Sequence, residues 1–220
     1  MKIRDVLIAT GSVVVCGAAA GVWSLCCSEE SQRTVVPVSF VSQPGDPQEE
    51  MIKNMLKEQA ALAPQHKVLE ALVGTFNAEM NFLMEPGGEP DKTKGVSVNK
   101  SILGGRFVTM EFAGDINMFG DVIKFAGLGM MGFDKAKGEY VMTWVDTMST
   151  SLLIQAGKPA ADEKRIEVSG TAASVMGEQQ MKHVYIIESN DKHTLEFYQA
   201  VPGMDEMMKI GWINYSRKGD

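Results

Sequence analysis

The chain has 220 residues, of which 45% are hydrophobic and 22% are charged, values typical of a globular protein with a substantial core. This length suits one domain with an appendage, or at most two small domains. The net charge of -7 and the lack of a basic stripe argue against nucleic acid as a partner. The cysteines are Cys16, Cys26 and Cys27, so the chain beyond them has no thiol for a disulfide, a thiolate metal site or a nucleophile.

Residues 1–27 form an apolar anchor or signal segment. Lys2 and Arg4 precede a nearly uninterrupted apolar run over residues 6–27, which as a helix can cross a bilayer core of about 30 Å. Because basic residues precede the run and acidic residues follow it, we predict a single-pass helix in the cell membrane, with the remaining chain outside the cytoplasm. The alternative is a cleaved signal peptide, with residues 18–20 as the cleavage site and a secreted or periplasmic product.

Residues 28–63 are interpreted as a linker and a short helix. The linker mixes Ser, Gln, Pro and charged residues without periodicity. Asp46 followed by Pro47 is typical of a helix N-cap with proline at the first helical position. A second short helix is predicted over residues 65–72, at the start of a third region that covers residues 64–220.

This third region has the pattern of an all-β domain. Phe76, Ala78, Met80 and Phe82 alternate with other residues at the period of two that is typical of a half-buried strand. Turn sequences rich in Gly, Pro, Asn and Asp separate the strands. The pattern predicts about ten strands and leaves a sandwich and a closed barrel as alternatives. The predicted strands cover residues 76–84, 95–103, 106–113, 122–133, 139–147, 150–156, 165–170, 180–188, 194–200 and 207–217.

Several stretches carry distinctive motifs: HKVLE at 66–70, LVGTF at 72–76, SILGGRF at 101–107, GLG through GFD at 127–134 and YVMTWVDTMST at 140–150, with a fainter HTLEFY at 193–198. Together they resemble a bacterial family known only as domain of unknown function 1579. The resemblance runs from about residue 64 to the end of the chain. It implies a lipocalin-like antiparallel barrel, usually exported or of unknown location, with no established activity. One departure is Phe76, where the family usually has Trp.

Barrel closure is expected to bring Phe76 and Arg217 together. Lipocalins carry Gly-x-Trp at the start of the first strand, and an Arg near the end of the last strand covers that Trp. This chain resembles that arrangement with Gly74-Thr75-Phe76 and Arg217. An Arg over an aromatic face gains about 0.5–2 kcal/mol. The alternative is an Arg217 side chain that extends into solvent beside Lys218.

A glycine pattern and the histidines are the next candidates for chemistry. Gly127-x-Gly129-x-x-Gly132 matches a dinucleotide-binding motif, but strand-type residues flank it, so we interpret these glycines as sites of bulges or close backbone approach.

The histidines are His66, His183 and His193, and none has a partner at metal-ligand spacing, so no metal and no cofactor are predicted. His193 follows a turn, where it is either a ligand of haem or of an ion on the barrel rim or, as we favour, a solvated turn residue.

The candidate ligand pocket is made of residues that lie in apolar strand contexts, namely Arg106, Glu111, Met142, Trp144, Asp146 and Glu196. A pair of carboxylates in a barrel can do acid–base work or orient a polar ligand. The alternative for Asp146 is hydrogen bonding to the backbone of the turn over residues 147–150, beside a largely buried Trp144. Both faces of the strands carry apolar residues, so alternation does not decide which face is inside.

Methionine is unusually frequent, with 16 residues in the chain. Its flexible thioether side chain suits a hydrophobic pocket and an ordinary core equally well.

The sequence therefore predicts an exported, membrane-tethered barrel that binds a small apolar or amphipathic molecule. This function follows by analogy at the level of the fold. One alternative is a hydrolase or isomerase that uses Asp146, Glu111 or Glu196, and another is a structural or interaction domain with a filled core. A cavity in the structure separates the filled core from the other two. No pattern addresses the oligomeric state.

Overall fold

The computed structural model describes residues 6–9, 12–15, 47–83, 85, 87–118, 121–162, 164–174, 177–201 and 203–219. The chain divides into two compact units, Met1–Glu58 and Gln59–Asp220.

The N-terminal unit contains two short strands, β1 (Val6–Ala9) and β2 (Ser12–Val15), which pair antiparallel. The structure differs here from the continuous helix predicted over residues 6–27, because β-branched residues such as the run of valines in β2 favour extended backbone. The rest of that predicted helix, residues 10–11 and 16–27, lies outside the described residues. Within the described part of the chain, no helix has the length and apolar character needed to cross a membrane.

Helix α1 (Pro47–Ala60) follows. It begins at the predicted proline, whose fixed φ and missing N–H suit the first helical position. Acidic residues in its first turn and Lys57 in its last turn complement the helix dipole. An ion pair between Glu49 and Lys53 adds support one helical turn apart.

Over its described residues, the second unit is a closed barrel of ten antiparallel strands. Each strand pairs with its neighbours in sequence, and the last strand pairs with the first to close the ring. The strands are β3 (Gly74–Phe82), β4 (Asp91–Ile102), β5 (Phe107–Met118), β6 (Asp121–Asp134), β7 (Glu139–Asp146), β8 (Leu153–Gly157), β9 (Arg165–Ser174), β10 (Gly177–Ser189), β11 (Lys192–Gln199) and β12 (Met208–Arg217). The predicted antiparallel barrel of about ten strands is confirmed, and a sandwich is excluded because the strands form one ring.

Side chains along each strand alternate between the barrel interior and the outer surface. In β5, Val108, Met110 and Phe112 are buried inside, whereas Glu111 is exposed on the outer surface. This is the consequence of a period of two in a closed sheet with a packed interior.

A short helical segment covers one end of the barrel. Helix α2 (Pro64–Val68) continues into a 3-10 turn (Leu69–Leu72), and both leucines of that turn are buried. Asn99 on β4 donates a hydrogen bond from Nδ2 to the carbonyl oxygen of Leu72 at 2.7 Å. Full burial of a leucine side chain stabilises by about 1.5–3 kcal/mol. The two leucines and this hydrogen bond therefore hold the segment against the barrel.

We call the end covered by residues 64–72 the plugged end, and the end at residues 147–152 the open end. Strand β3 begins and β12 ends at the plugged end, where Phe76 lies opposite Arg217. The guanidinium carbon of Arg217 is 4.8 Å from the centroid of the Phe76 ring. Its Nη1 donates to the carbonyl oxygen of Val73 at 3.1 Å. The structure thus brings together the two residues that the sequence pairs at the closure.

Candidate ligand cavity

The barrel interior contains a cavity of about 350 Å³. Small ligands bind in cavities of roughly 300–1,000 Å³ that have mainly apolar walls and a few placed polar groups. The wall here includes the apolar side chains of Phe112, Phe125, Leu195, Phe197, Ile210 and Ile213. At the open end, Met148 and Ser149 line the cavity and are exposed, so the cavity reaches the surface there.

Methionine side chains form a large part of this wall. Those that line it are Met80, Met110, Met142, Met148 and Met181. Met131 is fully buried but does not line the cavity, so methionine serves both the cavity and the packed core. A flexible, polarisable thioether adapts to guests of different shape, which suits a cavity that holds a small molecule.

At the open end, Trp144 and Asp146 form a hydrogen-bonded pair on the inner face of β7. Trp144 donates from Nε1 to Oδ2 of Asp146 at 2.9 Å. The second oxygen, Oδ1, accepts a hydrogen bond from the backbone N–H of Met148 at 2.9 Å. Asp146 therefore accepts a hydrogen bond from the backbone of the turn that follows β7, which is one of the two alternatives predicted from the sequence. Trp144 was expected to be largely buried. It is half-buried, because its ring lines the cavity near the open end.

Two glycines of the 127–132 motif, Gly127 and Gly129, lie beneath this indole. A Cβ atom at Gly127 would overlap with the Trp144 ring, and one at Gly129 would come within 2.7 Å of its Cε3 atom. Glycine lets the flat face of the indole approach the backbone of β6 closely. The motif therefore positions an aromatic side chain of the cavity wall, in agreement with the interpretation of close backbone approach.

His193 lies on the wall of the cavity near the plugged end. Its ring stacks on Tyr215, with centroids 4.5 Å apart, and meets the edge of Phe76 at 4.7 Å. Burial lowers the pKa of His193 to about 4; the Arg217 cation lowers it as well, and the Glu188 carboxylate opposes them. The ring is 2% exposed, so the expected solvated turn residue is instead a buried, neutral imidazole.

His183 is a second buried imidazole on the wall. Its ring meets that of Phe197 edge-on at 5.0 Å. Burial lowers the pKa of His183 to about 4. Tyr185 lies two residues further along β10 and donates from its hydroxyl to the Met142 sulfur at 3.3 Å. Burial raises the pKa of the Tyr185 hydroxyl above its usual value, so this group also stays neutral.

Of the residues predicted for the pocket, the structure brings three together, and these are Met142, Trp144 and Asp146 on β7. Glu111 lies on the outer surface, 3.6 Å from the ammonium group of Lys100. Glu196 also lies outside, where it accepts hydrogen bonds from Lys209 and Tyr198. Both carboxylates occupy the strand positions that point away from the interior, so they do not line the cavity with Asp146.

Arg106, the remaining predicted residue, lies at the plugged end of the barrel. It donates hydrogen bonds to the carbonyl oxygens of Leu103 and Ala60. It lines a separate depression of about 290 Å³, together with His66 and Phe133. Its role in the described structure is to hold the chain before α2 against the turn that follows β4.

Sequence reasoning missed His183 and His193 as residues of the cavity wall. The signal was present in the alternation of each strand: His193 shares its face with Leu195 and Phe197, and His183 shares its face with Tyr185. Among the described residues, no three His, Cys, Asp or Glu side chains converge on a site for a metal ion.

Comparisons with known proteins agree with the motifs. A family model described as "Protein of unknown function (DUF1579)" matches residues 62–217, which confirms the resemblance seen in the sequence. The crystal structure of Rv2717c from M. tuberculosis is similar, with 14% identity, a TM-score of 0.51, and coverage of 72% of this chain and 100% of that one. At this identity the likeness shows the fold alone. A structure of EF1p2_mFAP2b bound to DFHBI is 10% identical, with a TM-score of 0.39 and coverage of 70% of this chain and 99% of that one. This TM-score is too low to show a shared fold. No curated protein matches the chain.

Proposed function

Since the chain belongs to the DUF1579 family, whose description assigns no function, we propose a function from the geometry: the barrel is a binding module for one small apolar or amphipathic molecule. The observation that carries this proposal is the cavity of about 350 Å³ inside the closed barrel. A well-packed core has few voids larger than a water molecule. A cavity of this size therefore favours a ligand site over a filled interior.

The wall supports an apolar or amphipathic guest. Apolar side chains dominate it, and transfer of apolar ligand surface out of water gains about 25 cal/mol per Å². The polar side chains in the wall are separated along the barrel, with Asp146 near the open end and His193 near the plugged end. This distribution suits a molecule with an apolar body and one or two polar atoms.

The hydrolase or isomerase alternative has no observation in its favour. Among the described lining residues Asp146 is the only carboxylate, and both of its oxygens already accept hydrogen bonds from the protein. Glu111 and Glu196, which the alternative would use as partners, lie on the outer surface.

We also propose that the barrel acts outside the cytoplasm, tethered through the apolar run over residues 6–27. Its support is the composition of that run and the basic residues before it. Carbonate extraction of cells that express the full chain tests this location. A tethered protein stays in the membrane pellet, whereas a shortened soluble form indicates a cleaved signal peptide.

Native mass spectrometry of the purified full chain tests the binding function. We expect either a co-purified small molecule or, after addition of the neutral dye N-phenylnaphthylamine, a one-to-one complex. Only the bare protein mass in both samples would contradict the proposal.

A further inference from the structure

Two imidazole rings in the cavity wall each have one buried nitrogen without a hydrogen-bond partner. The Nδ1 atoms of His183 and His193 are enclosed by the protein and have no partner in the described structure. Both side chains are more than nine-tenths buried, and both residues line the cavity. Buried polar atoms are nearly always paired, so the lack of any acceptor at these two nitrogens bears on where each ring carries its proton.

The enclosed nitrogen fixes which hydrogen-bonding group each ring offers. A neutral imidazole carries one N–H donor and one acceptor nitrogen. An enclosed N–H without an acceptor is rare in proteins, so the proton is better placed on the other nitrogen, Nε2. Because Nδ1 is shut off by protein atoms, the edge that carries Nε2 is the one left for a ligand. Each ring then offers an N–H donor to the cavity.

The charge of the wall disfavours an anionic guest. No lysine or arginine is found among the described residues that line the cavity. Arg217, the cation nearest to His193, is engaged by Val73, Asn190 and Asp191 at the plugged end. Burial of an unpaired carboxylate is strongly unfavourable, and the carboxylate of Asp146 would repel it further.

We propose that the barrel selects an uncharged ligand that carries carbonyl-type acceptor oxygens, such as a ketone or an ester on an apolar body, which His183 and His193 bind as N–H donors. This inference rests on the proposed binding function and names the ligand class for the same cavity.

A competition experiment with two molecules of matched chain length tests the ligand class. The full chain is first titrated with N-phenylnaphthylamine, a neutral fluorescent dye with no acceptor oxygen. Methyl decanoate and decanoate then compete with the dye at neutral pH. We expect the ester to displace the dye at a concentration at least about tenfold lower than the carboxylate does. Equal potency, or stronger competition by decanoate, would overturn the proposal.

Two variants separate the hydrogen bonds from the apolar contacts. His193→Phe and His183→Phe keep an aromatic ring but remove the donor, so each should weaken binding of the ester about three- to tenfold. Binding of the dye, which has no acceptor oxygen, should weaken less than binding of the ester. Tyr198→Phe, on the outer face of the same strand as His193, is the matched control and should change neither. Equal affinity of the ester for both histidine variants and the parent chain would contradict the assigned donors.

The same data distinguish the two proposals. Failure of the dye and of both competitors to bind would contradict the binding function itself. Binding of the dye without preference for the ester would leave that function standing and remove the ligand class.

Discussion

The imidazole of His193 and the phenol ring of Tyr215 stack in parallel across neighbouring strands, with centroids 4.5 Å apart and ring planes at 16°. They face each other in register between β11 and β12, at the seam that the last strands form with β3. Burial of this stack keeps both rings neutral at physiological pH, since it lowers the pKa of His193 and raises that of Tyr215. A neutral aromatic stack therefore lies where the cavity meets the barrel closure.

The stability of the domain should fall as the solution is acidified through the range set by its buried histidines. His183 and His193 have pKa values of about 4 in the folded chain and 6.5 as the ordinary value. Between these values the unfolded chain binds more protons, so folding free energy is lost as the pH falls, by up to about 1.4 kcal/mol per pH unit for each histidine. Above pH 6.5 their contribution is fully present.

Urea denaturation between pH 7 and pH 5 measures this effect. The His183→Phe/His193→Phe double variant should show a clearly flatter dependence than the parent chain over that range. Equal slopes for the two proteins would show that the two rings are not buried and neutral.

Replacement of Arg217 by alanine should destabilise the closure. The change removes the contact with the Phe76 ring and the hydrogen bonds to Val73 and Asp191. We expect a loss of about 2 kcal/mol, which corresponds to a drop in Tm of roughly 4–8 °C for a domain of this size. Arg165→Ala, which breaks an exposed ion pair with Glu167, is the control and should shift Tm by less than about 2 °C. Equal Tm values for Arg217→Ala and the parent chain would mean that the closure contact contributes nothing.

Gly127→Ala should displace the Trp144 ring. The added Cβ atom has no room beneath the indole, so the ring must move and its 2.9 Å hydrogen bond to Asp146 is lost. Overpacking of this kind costs about 1–3 kcal/mol. Chemical denaturation and the near-ultraviolet circular dichroism of the indole report the change. Leu128→Ala, on the exposed outer face between Gly127 and Gly129, should cost less than about 1 kcal/mol, and a larger loss there than at Gly127 would refute the argument.

Trp144 should report occupation of the cavity through its fluorescence. Its ring lines the cavity, whereas Trp212 lies on the outer surface beneath the ammonium group of Lys209. Methyl decanoate should therefore change the emission of the parent chain and of Trp212→Phe, but not that of Trp144→Phe. A response that disappears with Trp212 instead would place the ligand outside the barrel.

Most of the fold could be predicted from the sequence, because alternation and turn residues are local signals. The strands and their order in the ring follow from short turns between consecutive strands. The strand lengths were harder to predict. Strand β5 continues to Met118 and β6 begins at Asp121, both beyond the predicted ends, because pairing with a neighbour extends a strand past its apolar residues. Local propensity also favours strands in the run of valines within β2, where overall apolarity predicted a helix.

Of the six residues that the sequence predicted for the pocket, only half line the cavity. Both faces of β5 and β11 carry residues that tolerate burial, so the sequence could not show that Glu111 and Glu196 point outward. That assignment depends on the register set by barrel closure, a long-range property. The buried histidines were missed for a related reason, since polarity and a neighbouring turn suggested solvent for His193.

The most direct test of ligand binding inside the barrel blocks the cavity from within. Ala172 lines it on β9, and the neighbouring Thr171 is exposed on the outer face of the same strand. N-phenylnaphthylamine is titrated into the parent chain, Ala172→Trp and Thr171→Trp, with folding of each checked by thermal denaturation. We predict that Ala172→Trp loses at least about tenfold in affinity for the dye, while Thr171→Trp binds within twofold of the parent chain. Equal dye binding by a folded Ala172→Trp and the parent chain would contradict the account.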